Sequence, residues 1–492
     1  MSPTLLFSLV IGYFLLLLVV AWFTGRKSNN DSFFIGNRNS SWILVAFGMI
    51  GTSLSGVTFV SVPGAVGKES FAYFQIALGY IIGYLAIAYV LLPLYYRLNV
   101  TSIYNYLQQR LGFTSYKTGA SFFVLSRTLG ATARLYLVVN ILQEAILERL
   151  GVPFWVTTLI ILLMILLYTF EGGVKTIVWT DTLQTTCMLA GLVICTVYIL
   201  NQLGLDLGSG IAAMGEKGYT RIFFTDPGSK LFFVKQILAG AFITITMTGM
   251  DQEMMQKNIS VKTLGDSQKN MITFAVVLTA VLLLFLFLGG LLHLFASAQG
   301  VTATGDKLFP VVALEHMPPF IAIVFIIALI SALFPSADGA ITALTSSFCI
   351  DLLGIKRRDD WDEKKQKRVR QTVHLVFAFI FLLFVMVFKW INSGSMIGVI
   401  LKVAAYTYGP LLGLFTFGLV TRRSVKDSLV PMICIAAPVI CFVLDKFQKE
   451  LLPGFEIGSE LLILNGLLVF FGLLLISKKT EVSKPLLAEA SL

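Results

Sequence analysis

The chain has 492 residues, of which 57% are hydrophobic and 13% charged. A soluble domain carries about 25% charged residues, so there is too little charge here to coat the two to four soluble domains this length would otherwise make, and disordered, coiled-coil and disulfide-framework readings fall with it. The net charge of +10 reads as a matter of membrane orientation and not of nucleic-acid binding, and a mean hydropathy of +0.84 leaves an all-α polytopic membrane protein with a single transmembrane domain.

A helix crosses the hydrocarbon core with about 20 apolar residues. On that basis about thirteen spans are predicted, near 4–24, 42–64, 71–95, 119–147, 153–170, 176–201, 231–255, 270–297, 319–350, 371–391, 395–420, 428–444 and 459–477. The first run is longer than the apolar region of a signal peptide and lacks a basic stretch before it, so it reads as a retained helix. Cys187, Cys195, Cys349, Cys434 and Cys441 lie in or beside apolar runs without CxxC spacing and read as free thiols. Gly79 and Gly83 form a GxxxG packing face in the third span. With the N-terminus outside, 24 of the 37 Lys and Arg fall on the cytoplasmic side and 9 on the other. Positive charge favours the inside, which predicts an outside N-terminus and a cytoplasmic C-terminus in the cell membrane.

Lipid offers no water to a broken helix, so a break at membrane depth is tolerated only where it lines a cavity. Two spans carry such a break. The second packs Gly51, Thr52, Ser53, Ser55, Gly56 and Thr58 into its middle; the seventh packs Thr244, Thr246, Thr248 and Gly249 there and then places Asp251. They are five spans apart, as in an inverted five-plus-five repeat whose halves each open on a broken helix. The expected organisation is a leading helix and inner loop (1–41), a first repeat (42–201), a second repeat with its outer loop (202–420), and two C-terminal helices with a cytoplasmic tail (421–492). Four cations lie inside spans: Arg127, Arg134, Lys235 and Lys402. At 1.5 Å per residue Arg127 is about 12 Å from the inner end and can snorkel to it, whereas Arg134, at about 22 Å, is near the midplane. An arginine fork there suits a carboxylate or a gating pair.

Four segments carry a family likeness: LPLYYRLNVTSIYNYLQQRLG (92–112), YTFEGGVKTIVWTDTLQ (168–184), DQEMMQKNISVKTLGDSQKN (251–270) and YGPLLGLFTFGL (408–419). With these in order, the chain resembles the sodium:solute symporter family, which includes sodium–sugar, sodium–proline and sodium–sialate carriers. The resemblance implies a LeuT-type inverted-repeat fold, sodium as coupling ion without an organic cofactor, and a small polar solute and the bilayer as partners. It points to a main sodium site at the Gly51, Leu54 and Ala332 carbonyls and the Ser336 hydroxyl. The family usually has two adjacent hydroxyl residues where this chain has Pro335–Ser336; proline offers no side-chain oxygen but frees a carbonyl one turn earlier, near Ser331. Asp338, one turn after Pro335, and Asp181 of the WTD motif are where some members share a second sodium. For the solute, the resemblance marks Lys402 and Asp251, with Gln252 beside it; Ser53, Ser55 and Thr58 line the first break and Gln75 opens the third span. Arg134 and Lys402 favour an organic anion such as a carboxylate or sialate. If Asp251 pairs with Lys402, a sugar or polyol fits instead. An ion channel or sensor on the same fold would show a filter repeat or a signalling domain, and an enzyme a metal or nucleophile motif; the sequence has none of these.

Overall fold

The computed structural model describes residues 3–25, 39–169, 173–358, 360–391 and 396–479; most of the inner loop expected before residue 41, Phe170–Gly172 of the WTD motif, and the tail from 480 lie outside them. The described chain is a helical bundle. In order it runs α1 (Pro3–Gly25), α2 (Trp42–Ser53), α3 (Gly56–Glu69), α4 (Tyr73–Arg97), α5 (Phe113–Leu147), α6 (Phe154–Thr169), α7 (Thr176–Leu203) and α8 (Leu207–Glu216). It continues through α9 (Phe233–Gly249), α10 (Gln252–Ile259), α11 (Leu264–Gln299), α12 (Leu308–Glu315), α13 (Pro319–Leu353) and α14 (Glu363–Ile391). The last helices are α15 (Met396–Thr407), α16 (Gly409–Val420), α17 (Asp427–Lys446) and α18 (Leu461–Leu475). Among the described residues seven helices are long and apolar enough to cross a membrane, or ten when each of three bent pairs is one span. Shorter apolar helices, α1, α6 and α18, fall on the remaining expected segments. Two short strands, Ser424–Val425 and Ser477–Lys478, pair antiparallel and tie the chain after α18 to the loop after α16.

The breaks have local causes. Leu54 (φ −88°, ψ 78°) and the extended Ser55 leave the helical region, and α3 resumes at 57° to α2. The last turn of α9 widens to a π-turn over Ile245–Gly249, and α10 restarts on Asp251 at 65°. Its N-cap is made by the Asp251 carboxylate, which accepts from the Glu253 N–H at 2.9 Å. A third bend, of 45°, divides α15 from α16 at Tyr408, within what reads in the sequence as one continuous span. Pro410 has no N–H to give the Tyr406 carbonyl. Asn465 of α18 supplies the donor instead, giving 2.9 Å bonds to the Ala405 and Tyr406 carbonyls.

Close packing sets where these breaks sit. Helix α13 is buried along nearly its whole length, with α7 and α5 against it. Helices α4 and α9 touch backbone to backbone: a Cβ at Gly79 would lie 2.1 Å from the Ile237 carbonyl oxygen, one at Gly83 2.6 Å from that of Ala241, and one at Gly240 2.2 Å from that of Ile76. The GxxxG face is thus turned onto the second broken helix. Overpacking costs about 1–3 kcal/mol even where side chains give way, and at Gly240 the nearest atoms are all backbone. Gly240→Val is expected to lower the melting temperature of purified protein and to reduce its monodisperse yield, whereas Gly12→Val, where a Cβ meets nothing within 4 Å, leaves both near wild type.

Candidate cation and solute site

All three bent pairs contribute to a central cavity of about 100 Å³. Ser53, Ser55 and Thr58 line it from the first break, Thr244, Thr248 and Met254 from the second broken pair, and Ile397, Ile400 and Leu401 from α15. Tyr73, Tyr80 and Tyr84 of α4 form an aromatic wall that sequence reasoning did not single out; their spacing of seven and four along one helix face is the signal that marks them. Tyr73, Ile397 and Leu401 also line a second chamber of about 480 Å³ beside the segment that joins α7 to α9, so they separate the two spaces.

Arginines on α5 reach the cavity with opposite fates. Arg134 is partly exposed to it, and among the described residues no acid pairs with its guanidinium. Arg127 does not snorkel to a surface; it is buried and ion-paired with Glu253 in the first turn of α10. A buried carboxylate on the neighbouring helix gives the guanidinium a charged partner without a long reach to water.

Several expected solute ligands are engaged elsewhere. Lys402 does not face the central cavity: its side chain is 57% exposed in the second chamber, and its ammonium lies 2.6 Å from Asp445 of α17. One residue from Leu401 on a helix is a turn of about 100°, enough to change chambers. Asp251 therefore does not pair with Lys402. It is fully buried, accepts from the Tyr408 hydroxyl at 2.7 Å, and so joins the second break to the third. Gln252 clamps the 101–103 loop, its amide bonded at 3.0 Å to the Ile103 N–H and to the Thr101 carbonyl. Gln75 ties α4 to the segment before α9, donating to the Leu231 carbonyl and accepting from the Phe224 N–H. Gln75, Asp251, Gln252 and Lys402 are positioning residues here and lie outside the cavity wall.

Around the first break the chemistry suits a cation. The carbonyls of Gly51, Thr52 and Ser53 belong to the last turn of α2 and that of Leu54 to its C-cap, and α3 supplies them no donors. Helix α13 meets this break, since a Cβ at Gly51 would lie 3.5 Å from Pro335 Cγ. Ser336, beside that contact, gives its proton to the Leu333 carbonyl at 2.8 Å and keeps its oxygen lone pairs. Pro335 carries no hydroxyl, but Thr185 of α7 brings one to the same place: a Cβ at Gly51 would meet its Oγ1 at 2.3 Å, and that oxygen is buried without a hydrogen-bond partner. Thr185 follows Asp181 by one helical turn and could have been found from that spacing.

Asp181 and Asp338 each have protein partners. Asp181 Oδ2 is 2.7 Å from the ammonium of Lys257 and accepts from the Thr52 hydroxyl. Asp338 accepts from the Tyr168 hydroxyl at 2.7 Å and from the Gly339 N–H at 2.5 Å. The other oxygen of Asp181, Oδ1, is buried without a hydrogen-bond partner. Lys257 falls just after the seventh span, in what reads as a polar inner loop, and Glu253 in the last turn of that span beside Asp251 and Gln252; the structure buries all of α10. Their i, i+4 spacing next to a break is the signal that was there.

An inverted pair of broken helices around a cavity at the centre of the bundle defines a secondary carrier, and an enzyme is excluded by the same comparisons that place its relatives. The chain belongs to the sodium:solute symporter family, whose model matches residues 33–432. It is 23% identical to the sodium/sialic acid symporter SiaT of Proteus mirabilis, with 94% of this chain and 93% of that protein covered. It is 24% identical to the sodium-coupled monocarboxylate transporter 1 of Xenopus laevis, with 84% and 66% covered. Among solved structures it superposes with a TM-score of 0.83 on a Na+-coupled sialic acid symporter in a substrate-bound outward-open state, at 18% identity and covering 96% of this chain and 99% of that one. A nucleobase–cation symport transporter in a closed conformation gives 0.55 at 12% identity, over 90% and 92% of the two chains.

Removing one member of a buried ion pair costs about 3–5 kcal/mol because the other charge is stranded. Glu253→Gln is expected to lower the melting temperature sharply, and Arg127→Gln added to it to restore most of the loss; a double-mutant cycle on purified protein measures the coupling.

Proposed function

We propose that the chain imports a small organic anion together with sodium by alternating access. The observation that carries this reading is the Arg134 guanidinium, turned to the central cavity without an acidic partner. A cation in a low-dielectric cavity is costly alone, and a carboxylate takes its fork in two parallel hydrogen bonds. Sialic acid and monocarboxylates, the solutes after which two relatives are named, share that group. The narrow cavity, about 100 Å³, favours a short monocarboxylate over a sugar acid. A polyol reading is weaker, because Gln75, Asp251 and Gln252 spend their hydrogen bonds on the protein itself.

Sodium in this reading is held by the Gly51, Leu54 and Ala332 carbonyls and the Ser336 hydroxyl, with Thr185 in place of the hydroxyl that Pro335 lacks. Bound there it draws the first break onto α13. The same break carries Ser53, Ser55 and Thr58 into the solute cavity, so sodium organises the solute site, and by linkage the solute tightens sodium. The distribution of basic residues supports an outside N-terminus and a cytoplasmic C-terminus in the cell membrane.

Proteoliposomes tested with short carboxylates, sialic acid and neutral sugars are expected to show saturable uptake of a carboxylate that needs an inward sodium gradient. A charge-assisted hydrogen bond contributes about 1.5–3 kcal/mol, so Arg134→Gln should weaken carboxylate binding about 10- to 150-fold, with sodium affinity in the absence of solute unchanged. Lys402→Gln should leave the solute affinity near wild type. Carboxylate uptake by Arg134→Gln with wild-type affinity overturns the proposal. Ser336→Ala and Thr185→Val are each expected to raise the half-saturating sodium concentration several-fold while the protein still folds, as read from sodium-dependent thermal shifts.

A further inference from the structure

One acidic side chain links the first broken helix to the helix that walls the solute cavity. Asp306 lies in the tight turn Gly305–Lys307, between α11 and α12. Its Oδ2 accepts from the Met396 N–H at 3.0 Å, and Met396 is the first residue of α15. We propose that Asp306 is a positioning residue of the transport cycle: it latches the start of α15 to α3 and so holds closed the wall between the central cavity and the second chamber. The proposal rests on the alternating-access reading and deepens it, since it names the contact that keeps one side shut.

The turn that carries Asp306 is seated on α3. A Cβ at Gly64 would run into the Gly305 carbonyl, so turn and helix meet backbone to backbone. Gly305 takes a left-handed φ of 60°, which glycine adopts without strain. Beside Gly64, α3 is also gripped by α11: a Cβ at Gly289 would lie 2.7 Å from Pro63 Cα and from its carbonyl oxygen. Helix α3 and the turn therefore shift together.

The other end of the latch is a helix start. The first N–H groups of a helix have no partner within it and carry partial positive charge, so a carboxylate is a favoured acceptor there. Among the described residues no cation forms an ion pair with Asp306, which leaves its charge to the start of α15.

Helix α15 is where a shift would count. Ile397, next to Met396, and Leu401, one turn on, are two of the three side chains that separate the chambers. Gly64, Gly305 and Asp306 line the second chamber too, so the latch stands beside the wall it holds. The far end of α15 is fixed separately. Asn465 holds the Ala405 and Tyr406 carbonyls, and Asp445 accepts from the Tyr406 hydroxyl at 2.6 Å and lies 2.6 Å from the Lys402 ammonium. With that end anchored, the start of α15 is the end free to swing, and Asp306 ties it to α3.

A cysteine placed in the central cavity reads the wall without any solute. Thr58→Cys in the purified full chain is treated with a charged methanethiosulfonate, and the labelling rate is taken above that of the five native cysteines. Loss of a helix cap shifts an equilibrium roughly 2- to 30-fold, and Asp306→Ala is expected to speed labelling by that factor while the protein stays folded. Asparagine caps a helix as well as aspartate does, so Asp306→Asn is expected to keep the parental rate. A purely structural role would lower the melting temperature and leave the rate alone. Parental labelling in a folded Asp306→Ala overturns the proposal, and so does an Asp306→Asn that labels as fast as Asp306→Ala. Should Asp306→Ala not fold, Gly64→Ala, which pushes the turn off α3, carries the same expectation and the same refutation. Leu401→Ala removes part of the wall itself and is expected to speed labelling; an unchanged rate there would overturn the two-chamber reading together with this proposal, whereas faster labelling in Leu401→Ala alone overturns only the latch.

Discussion

Backbone polar groups stranded inside hydrocarbon must find partners within the protein, and this constraint organises the centre of the molecule. Three helices stop and restart within the bundle, and each stop is answered by a specific group. The Asp251 carboxylate caps the restart of α10. Asn465 takes the carbonyls released ahead of Pro410. At the first break no backbone donor reaches the carbonyls from Gly51 to Leu54, and in the proposed reading a cation takes them, with Ser336 and Thr185 beside them. A helix break is thus either satisfied by the protein, and structural, or left open to a ligand, and functional. The second and third breaks are of the first kind, and the proposed function puts the first break in the second.

The buried charges follow a similar division. Arg127 with Glu253, and Lys257 with Asp181, are closed pairs whose partners come from different helices. They hold α10 against α5 and α7, which keeps the second broken helix in place beside the first. Such pairs add little net stability over a well-packed apolar core, but losing one member is costly, so they fix the arrangement of the helices. Arg134 lies outside this scheme. No acid among the described residues forms an ion pair with it, and it lines the central cavity.

The two chambers give the transport reading its geometry. The central cavity and the larger space beside the 204–230 segment share Tyr73, Ile397 and Leu401. A solute moving between them has to displace these three side chains, two of which belong to α15. That helix is hinged at Tyr408, whose hydroxyl is bonded to Asp251. Bending at the third break would therefore be felt at the second, and the same hydrogen bond joins the wall of the solute cavity to the helix that carries Lys257.

How much of this was legible in the sequence follows the range of each interaction. Apolar runs, their lengths and the small polar residues at two of the breaks are local properties, so the helical spans and two of the three breaks could be read along the chain. The third break was hidden because Tyr408–Gly409–Pro410 sits in an otherwise apolar run and its carbonyls are satisfied by Asn465, which is far off in sequence. Lys402 and Lys257 exchanged places for a comparable reason. By position Lys402 seemed to be inside a span and Lys257 in a loop, yet Asp445 draws the first to an exposed chamber and Asp181 holds the second in the core. Hydrophobic periodicity says which residues leave water. Which buried charge meets which is set by the packing of helices that are distant in the chain, and that was decided only when α5, α7 and α10 came together.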